Sequence, residues 1–102
     1  MDLYVSCEAG DKEMLEEIRR MFYNAEMVDE QDAVENMDMK MIHIPGVTIN
    51  VKTVDFIMNH FSFNRAKKNR TLRIGEDRKE YDFKGLSRQQ IISKLEDIIN
   101  GK

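Results

Sequence analysis

An α+β domain, a small sheet packed by three amphipathic helices, is predicted by three features of this 102-residue sequence. Short apolar runs end at glycine or proline, as strands do. Three other runs carry apolar residues at steps of three and four, as helices buried on one face do. Helix-start signals precede those runs at the spacing that capping requires. The chain has the length of one domain and enough surface to bury a single core without covalent staples.

Leu3 to Cys7 is short and apolar and is followed by Gly10, so it reads as a strand. Asp11 then caps a helix with Glu13 in its first turn, where an acid suits the macrodipole. Met14, Leu15, Ile18, Met21, Phe22 and Ala25 form its apolar face, and Glu16 and Arg20 stand four apart on the outside. Residues 26–38 hold Glu26, Asp29, Glu30, Asp32, Glu35 and Asp38 with no basic residue, which predicts a solvated loop.

Residues 40–61 are the densest apolar run and the unit around which the rest is arranged. A strand near 39–44 must stop at Pro45, the only proline, which lacks an N–H and fixes φ. Pro45-Gly46 makes a corner, and Asn50 or Thr48 caps a helix from about 50 to 61. Val51, Val54, Met58 and Phe61 form its predicted core stripe. Phe56 and Ile57 lie off that stripe, so the helix has more apolar surface than a small sheet covers. Val54, Phe56, Ile57, Met58 and Phe61 are therefore the candidate protein-docking residues.

Leu72 and Ile74 alternate, as do Tyr81 and Phe83, with Gly75-Glu76-Asp77 between them. This pattern predicts a hairpin with its loop near 75–79; a helix would enclose a glycine and several charges. In the last helix Ser87 and Gln90 form a capping box. Ile91, Ile92, Leu95, Ile98 and Ile99 supply its stripe, and Asn100-Gly101 ends it.

Sixteen basic and nineteen acidic residues leave a net charge of −3. The imbalance is local: residues 1–63 carry 5 basic and 13 acidic groups, and residues 64–102 carry 11 and 6. Such polarity suits complementary partners, or two halves facing each other, better than a uniform nucleic-acid surface. No apolar run approaches the ~20 residues of a membrane span, and the N-terminus lacks signal-peptide character. With one cysteine, Cys7, a reducing compartment, cytosol or nucleus, is expected.

Catalytic constellations are not found. The five glycines are isolated, so no loop cradles a phosphate, and the sequence calls for no cofactor. His43 and His60 are far apart and Cys7 has no nearby partner, so no metal-ligand spacing occurs. The thiol at a strand end reads as buried and inert, and the chain as a non-enzyme. Met14, Met21, Met41 and Met58 fall on predicted core faces, whereas Met27, Met37 and Met39 are candidates for a contact surface. Arg65, Lys67, Lys68, Arg70 and Arg73 form a basic stretch that offers a nucleic-acid-binding alternative, though no aromatic interrupts it. Acidic residues 26–38 offer another, an inhibitor or antitoxin masking its partner.

In order along the chain, L-Y-V-S-C-E-A-G-D, I-H-I-P-G-V-T, V-K-T-V-D-F-I-M-N-H and D-F-K-G-L with I-I-N-G-K resemble the Skp-type and elongin C ubiquitin-ligase adaptors. The resemblance implies a reduced BTB/POZ domain and a protein partner of cullin or substrate-receptor type. The chain departs from the pattern after Asp11, where the family's second strand has no room. It departs again at 71–80, where the family has an apolar helix, and at Lys102, before the helices that grip an F-box.

Overall fold

The computed structural model describes residues 1–28, 39–63 and 69–101. Its elements are β1 (Leu3–Glu8), α1 (Lys12–Met21), β2 (Glu26–Met27), β3 (Met39–Ile44), α2 (Val51–Ile57), β4 (Thr71–Ile74), β5 (Lys79–Glu80) and α3 (Arg88–Ile99). The α+β expectation holds. The sheet runs β2-β3-β1-β4-β5, and every neighbouring pair is antiparallel.

β3 is antiparallel to both β1 and β2, so β1 and β2 run parallel on either side of it, joined through α1. β3 and β4 likewise flank β1 and are joined through α2. The two interleaved units make a split β-α-β arrangement of ferredoxin-like type, with the β5 hairpin strand and α3 added. Such a topology hosts many unrelated functions and by itself names none.

β1 is central because alternate residues can be buried against a core. Leu3, Val5 and Cys7 are fully buried; Leu3 pairs across to Ile44 and Ile74, and Val5 to Ile42 and Leu72. Met14, Ile18 and Phe22 from α1, Val54, Phe56 and Ile57 from α2, and Phe83, Ile91 and Leu95 complete one cluster on that face. Tyr4, Ser6, Met41, His43, Thr71 and Arg73 therefore face the other way by strand alternation. No helix among the described residues covers that second face.

Local signals set the element ends. Asp11 accepts from the Met14 amide at 3.3 Å, and Asn50 from the Thr53 amide at 3.0 Å. Ser87 and Gln90 close the capping box in both directions, at 3.2 and 2.9 Å. The hairpin turn spans Gly75 to Arg78, with φ of 93° at Gly75, where an added Cβ would meet Asp77 Oδ1 at 3.2 Å. The Pro45-Gly46 corner holds the chain start: Met1 and Val47 exchange backbone hydrogen bonds of 2.9 and 2.7 Å, and Gly46 donates to Asp2 at 3.3 Å.

Four expectations are corrected. First, Glu26–Met27 is not loop but an edge strand on β3; residues 29–38 lie outside the described residues. Second, the buried arc of α2 is Thr53, Val54, Phe56 and Ile57, while Val51 is 72% exposed. At about 100° per residue, Val51 points away from the middle of that arc. Beyond Ile57 the chain continues through Met58–Ser62 as a wider π-type turn, closed by the Phe63 amide on the Met58 carbonyl at 3.2 Å, which shifts the face again. Third, Met41 is on the open sheet face, paired with Ser6. Fourth, Arg20 pairs with Glu17 rather than with Glu16.

The 71–80 hairpin is observed as expected. It occupies the stretch where the adaptor resemblance implies an apolar helix.

Candidate interaction surfaces

The residues expected to dock a partner are largely interior. Val54, Phe56 and Ile57 are 2% exposed or less, and Met58 and Phe61 are half-buried against the same core. Phe56 meets Phe22 edge-on at 5.3 Å and Phe61 at 6.0 Å. Burial here reflects α2 lying over the sheet with helices on both flanks, so that its apolar excess is covered.

The basic stretch is divided. Arg65, Lys67 and Lys68 lie outside the described residues. Arg70 is drawn inward, with a side chain only 4% exposed. Its Nε and Nη2 donate to the two oxygens of Asp11 at 2.7 and 2.8 Å, and Nη2 also reaches Glu13 at 3.0 Å. This fork-on-carboxylate geometry holds the guanidinium's proton above its ordinary range, chiefly through Asp11. Arg73 lies on the open face, donating to the Arg78 carbonyl at 3.3 Å and standing 3.5 Å from Glu80. Neither arginine is presented as a loose phosphate contact. Of the acidic segment, Glu26 bonds His43 on the open face and residues 29–38 are not described.

His60, in the π-type turn, completes the Arg70 cluster. Arg70 can only donate, so its 3.3 Å contact makes His60 Nδ1 the acceptor and leaves the ring proton on Nε2, 3.6 Å from Glu17 Oε2. Burial first, and Arg70 second, push the histidine pKa below 6.5. The unfolded chain therefore takes up more protons than the folded one as pH falls from 6.5 toward the lowered value. Stability should decline over that window and be fully present above it. Urea titrations at successive pH values should show this slope, and His60→Gln should flatten it. Asp2 and Glu17, both lowered, act only nearer the carboxylate range.

Cys7 is fully buried, and burial, followed by the charge of Asp11, pushes its thiol up to about 11. A thiol so protonated is a poor nucleophile at neutral pH. Among the described residues no group of three or more histidine, cysteine, aspartate or glutamate side chains could hold a metal, and no helix is long and apolar enough to cross a membrane.

The open sheet face closes on itself. The Tyr4 and His43 rings stack at 4.5 Å, nearly parallel, and the Arg78 guanidinium lies over the same tyrosine ring at 4.6 Å. His43 also contacts Asp2 at 3.2 Å and Glu26 at 3.3 Å. Tyr4 is left only 7% exposed. An aromatic already sandwiched between an imidazole and a guanidinium offers no free face for a base to stack on.

A different surface remains open. Where α1 ends and the chain turns back into β2, a cleft of about 140 Å³ is walled by Leu15, Ile18, Phe22, Ala25, Met27 and Ile42, with Arg19, Tyr23 and Glu26 also lining it. Tyr23 is 96% exposed and Met27 56%. Sequence reasoning identified the α1 apolar face and named Met27 as a contact-surface candidate, but did not bring the two together. It missed the cleft because a two-residue edge strand has no periodicity to detect. No family model matches the chain, and neither the curated proteins nor the solved structures contain a significant match.

Proposed function

We propose that this chain is a non-catalytic protein-interaction module, and that the α1–β2 cleft is where it takes its partner. The cleft is the observation that carries this reading. Two large apolar side chains, Tyr23 and Met27, stand exposed at the rim of an apolar hollow. Metabolite and cofactor pockets run to roughly 300–1,000 Å³. A hollow near 140 Å³ is closer to the space that one benzene-sized group fills. It suits a single anchoring side chain from another protein.

The finer version, an adaptor subunit of a cullin-type ubiquitin ligase, draws support only from the ordered short motifs. The hairpin at 71–80 weighs against it, and the helix offered for docking is buried. Affinity capture separates the two levels. A partner retained by the native chain should be recovered about tenfold less by a Tyr23→Ser/Met27→Asp variant, which alters exposed atoms and should melt like the parent. Equal recovery by both would sink the cleft as the binding site. Absence of any cullin or substrate-receptor component among specific partners would remove the adaptor version alone.

A further inference from the structure

Resting on that reading, we infer that β2 is an acceptor edge for strand addition, and that its occupant is an extended, acidic segment of a partner protein carrying an apolar anchor. Three observations converge on this edge. The first is the direction of the edge backbone. Val28 donates to the Met41 carbonyl at 2.9 Å, so its amide points inward to β3. Successive residues of a strand direct their hydrogen-bonding groups to opposite sides, so the N–H and C=O of Met27 point outward. Among the described residues the sheet order makes β2 the outermost strand on that side. Among the described residues nothing pairs with the outward donor and acceptor of Met27, and an incoming strand would take both, which is how extended peptides extend a sheet.

The second observation is the position of the cleft. Met27 pairs with Ile42, a core-face residue, and the hollow opens beside both, between the sheet and α1. A strand laid along β2 would direct every second side chain toward that face. One such residue would enter the hollow against Leu15, Ile18 and Phe22, and its neighbours would point to solvent. Main-chain pairing and a side-chain anchor would thus be satisfied by one extended segment. A helix could fill the hollow but would leave the Met27 groups unpaired.

The third observation is charge. Arg19 lines the cleft and has no ion-pair partner among the described residues. The other arginine of the α1 last turn, Arg20, is engaged with Glu17. Glu26 faces the opposite side of the sheet, held by His43. Glu26 also lines the cleft, but its carboxylate is held by His43. Among the described residues Arg19 is therefore the cleft charge without an ion-pair partner, and a carboxylate next to the anchor residue complements it. A basic segment would meet this guanidinium as a like charge.

The test uses the full chain and a linear random-peptide display library, followed by fluorescein-labelled synthetic copies of the enriched peptides. Enriched sequences should hold an apolar residue with an acidic one close by, and binding should shift the amide resonances of residues 26–28. Arg19→Glu should weaken binding by about tenfold or more and be rescued by peptides with lysine in place of the acid. Met27→Pro removes the outward N–H at an edge position, where proline is tolerated, and should weaken binding comparably while circular dichroism stays native. Enriched peptides that bind Met27→Pro and the native chain equally would overturn strand addition and leave the interaction-module reading in place. So would the enrichment of basic or helix-forming peptides. Self-association abolished by Met27→Pro would assign the edge to a second copy and overturn the partner segment. Failure of the capture experiment above, by contrast, counts against the module itself.

Discussion

Replacing Phe56 with alanine should lower the unfolding free energy by about 3–5 kcal/mol, the range for emptying a buried phenylalanine site. The side chain is fully buried, and its ring contacts Phe22, His60 and Phe61. These neighbours come from the C-terminal cap of the first helix and from the π-type turn, so no single element can relax to fill the void. A domain of this size is stable by only about 5–15 kcal/mol, and each kcal/mol moves the midpoint by roughly 4–8 °C. Thermal and urea unfolding should therefore show a loss of roughly 12 °C or more. Val51→Ala, at a site 72% exposed in the same helix, should be close to neutral, within about 0.5 kcal/mol. The comparison decides between two roles for Phe56. A docking residue would lose partner binding with little change in stability, whereas a core residue would lose stability first. An unchanged melting midpoint in Phe56→Ala would return the residue to the surface.

That contrast shows where sequence was informative. Signals completed within a few residues were legible: Asp11, Asn50 and the Ser87–Gln90 box each cap the helix expected of them, and Gly75 marks the hairpin. The buried face of α2 was not. Apolar residues occupy 51, 54, 56, 57 and 58, so several stripes fit the run equally well and only packing selects one. Met41 had a usable signal. It alternates with Ile42 and Ile44 and so belongs to the opposite face with His43, but its hydrophobicity outweighed the alternation. The cleft was half legible, since Leu15, Ile18 and Phe22 were identified as apolar. That β2 would form beside them depended on pairing with β3, which no local pattern reveals.

Charge followed the same division. The opposite bias of the two halves was plain from composition, and facing halves were one of its two readings. The fold supplies contacts of that kind: Arg70 reaches Asp11 and Glu13, and Arg88 pairs with Asp55. What composition could not show is how unequal these contacts are. Arg88 and Asp55 are each 40% exposed or more, a setting in which ion pairs contribute under about 1 kcal/mol. Arg70 and Asp11 are 4% and 11% exposed and are joined by two parallel hydrogen bonds.

Arg70→Met should accordingly be the most damaging change of a charged residue in the described chain, at about 3 kcal/mol. This is the lower end of the range for breaking a buried pair, chosen because Asp11 retains some exposure and its bond from the Met14 amide. The partner change must preserve that cap. Asp11→Asn does so, since asparagine caps a helix about as well as aspartate while carrying no charge. In the Arg70→Met/Asp11→Asn double variant no carboxylate at 11 has to stay desolvated without its guanidinium. The double variant should therefore be more stable than the sum of the single losses implies, by about 1–3 kcal/mol of coupling. Salt should change this coupling little, because the pair is shielded from mobile ions. Removing Arg70 also removes the donor on His60 Nδ1 and a nearby positive charge. The histidine should then protonate more readily, and the decline in stability between pH 6.5 and its folded value should shrink. An Arg70→Met variant that unfolds at the parent's urea midpoint, with an unchanged pH slope, would mean that the guanidinium is solvent-borne. Arg70 would then be free to serve with Arg65, Lys67, Lys68 and Arg73 as a phosphate-binding stretch, and the nucleic-acid alternative would regain its ground.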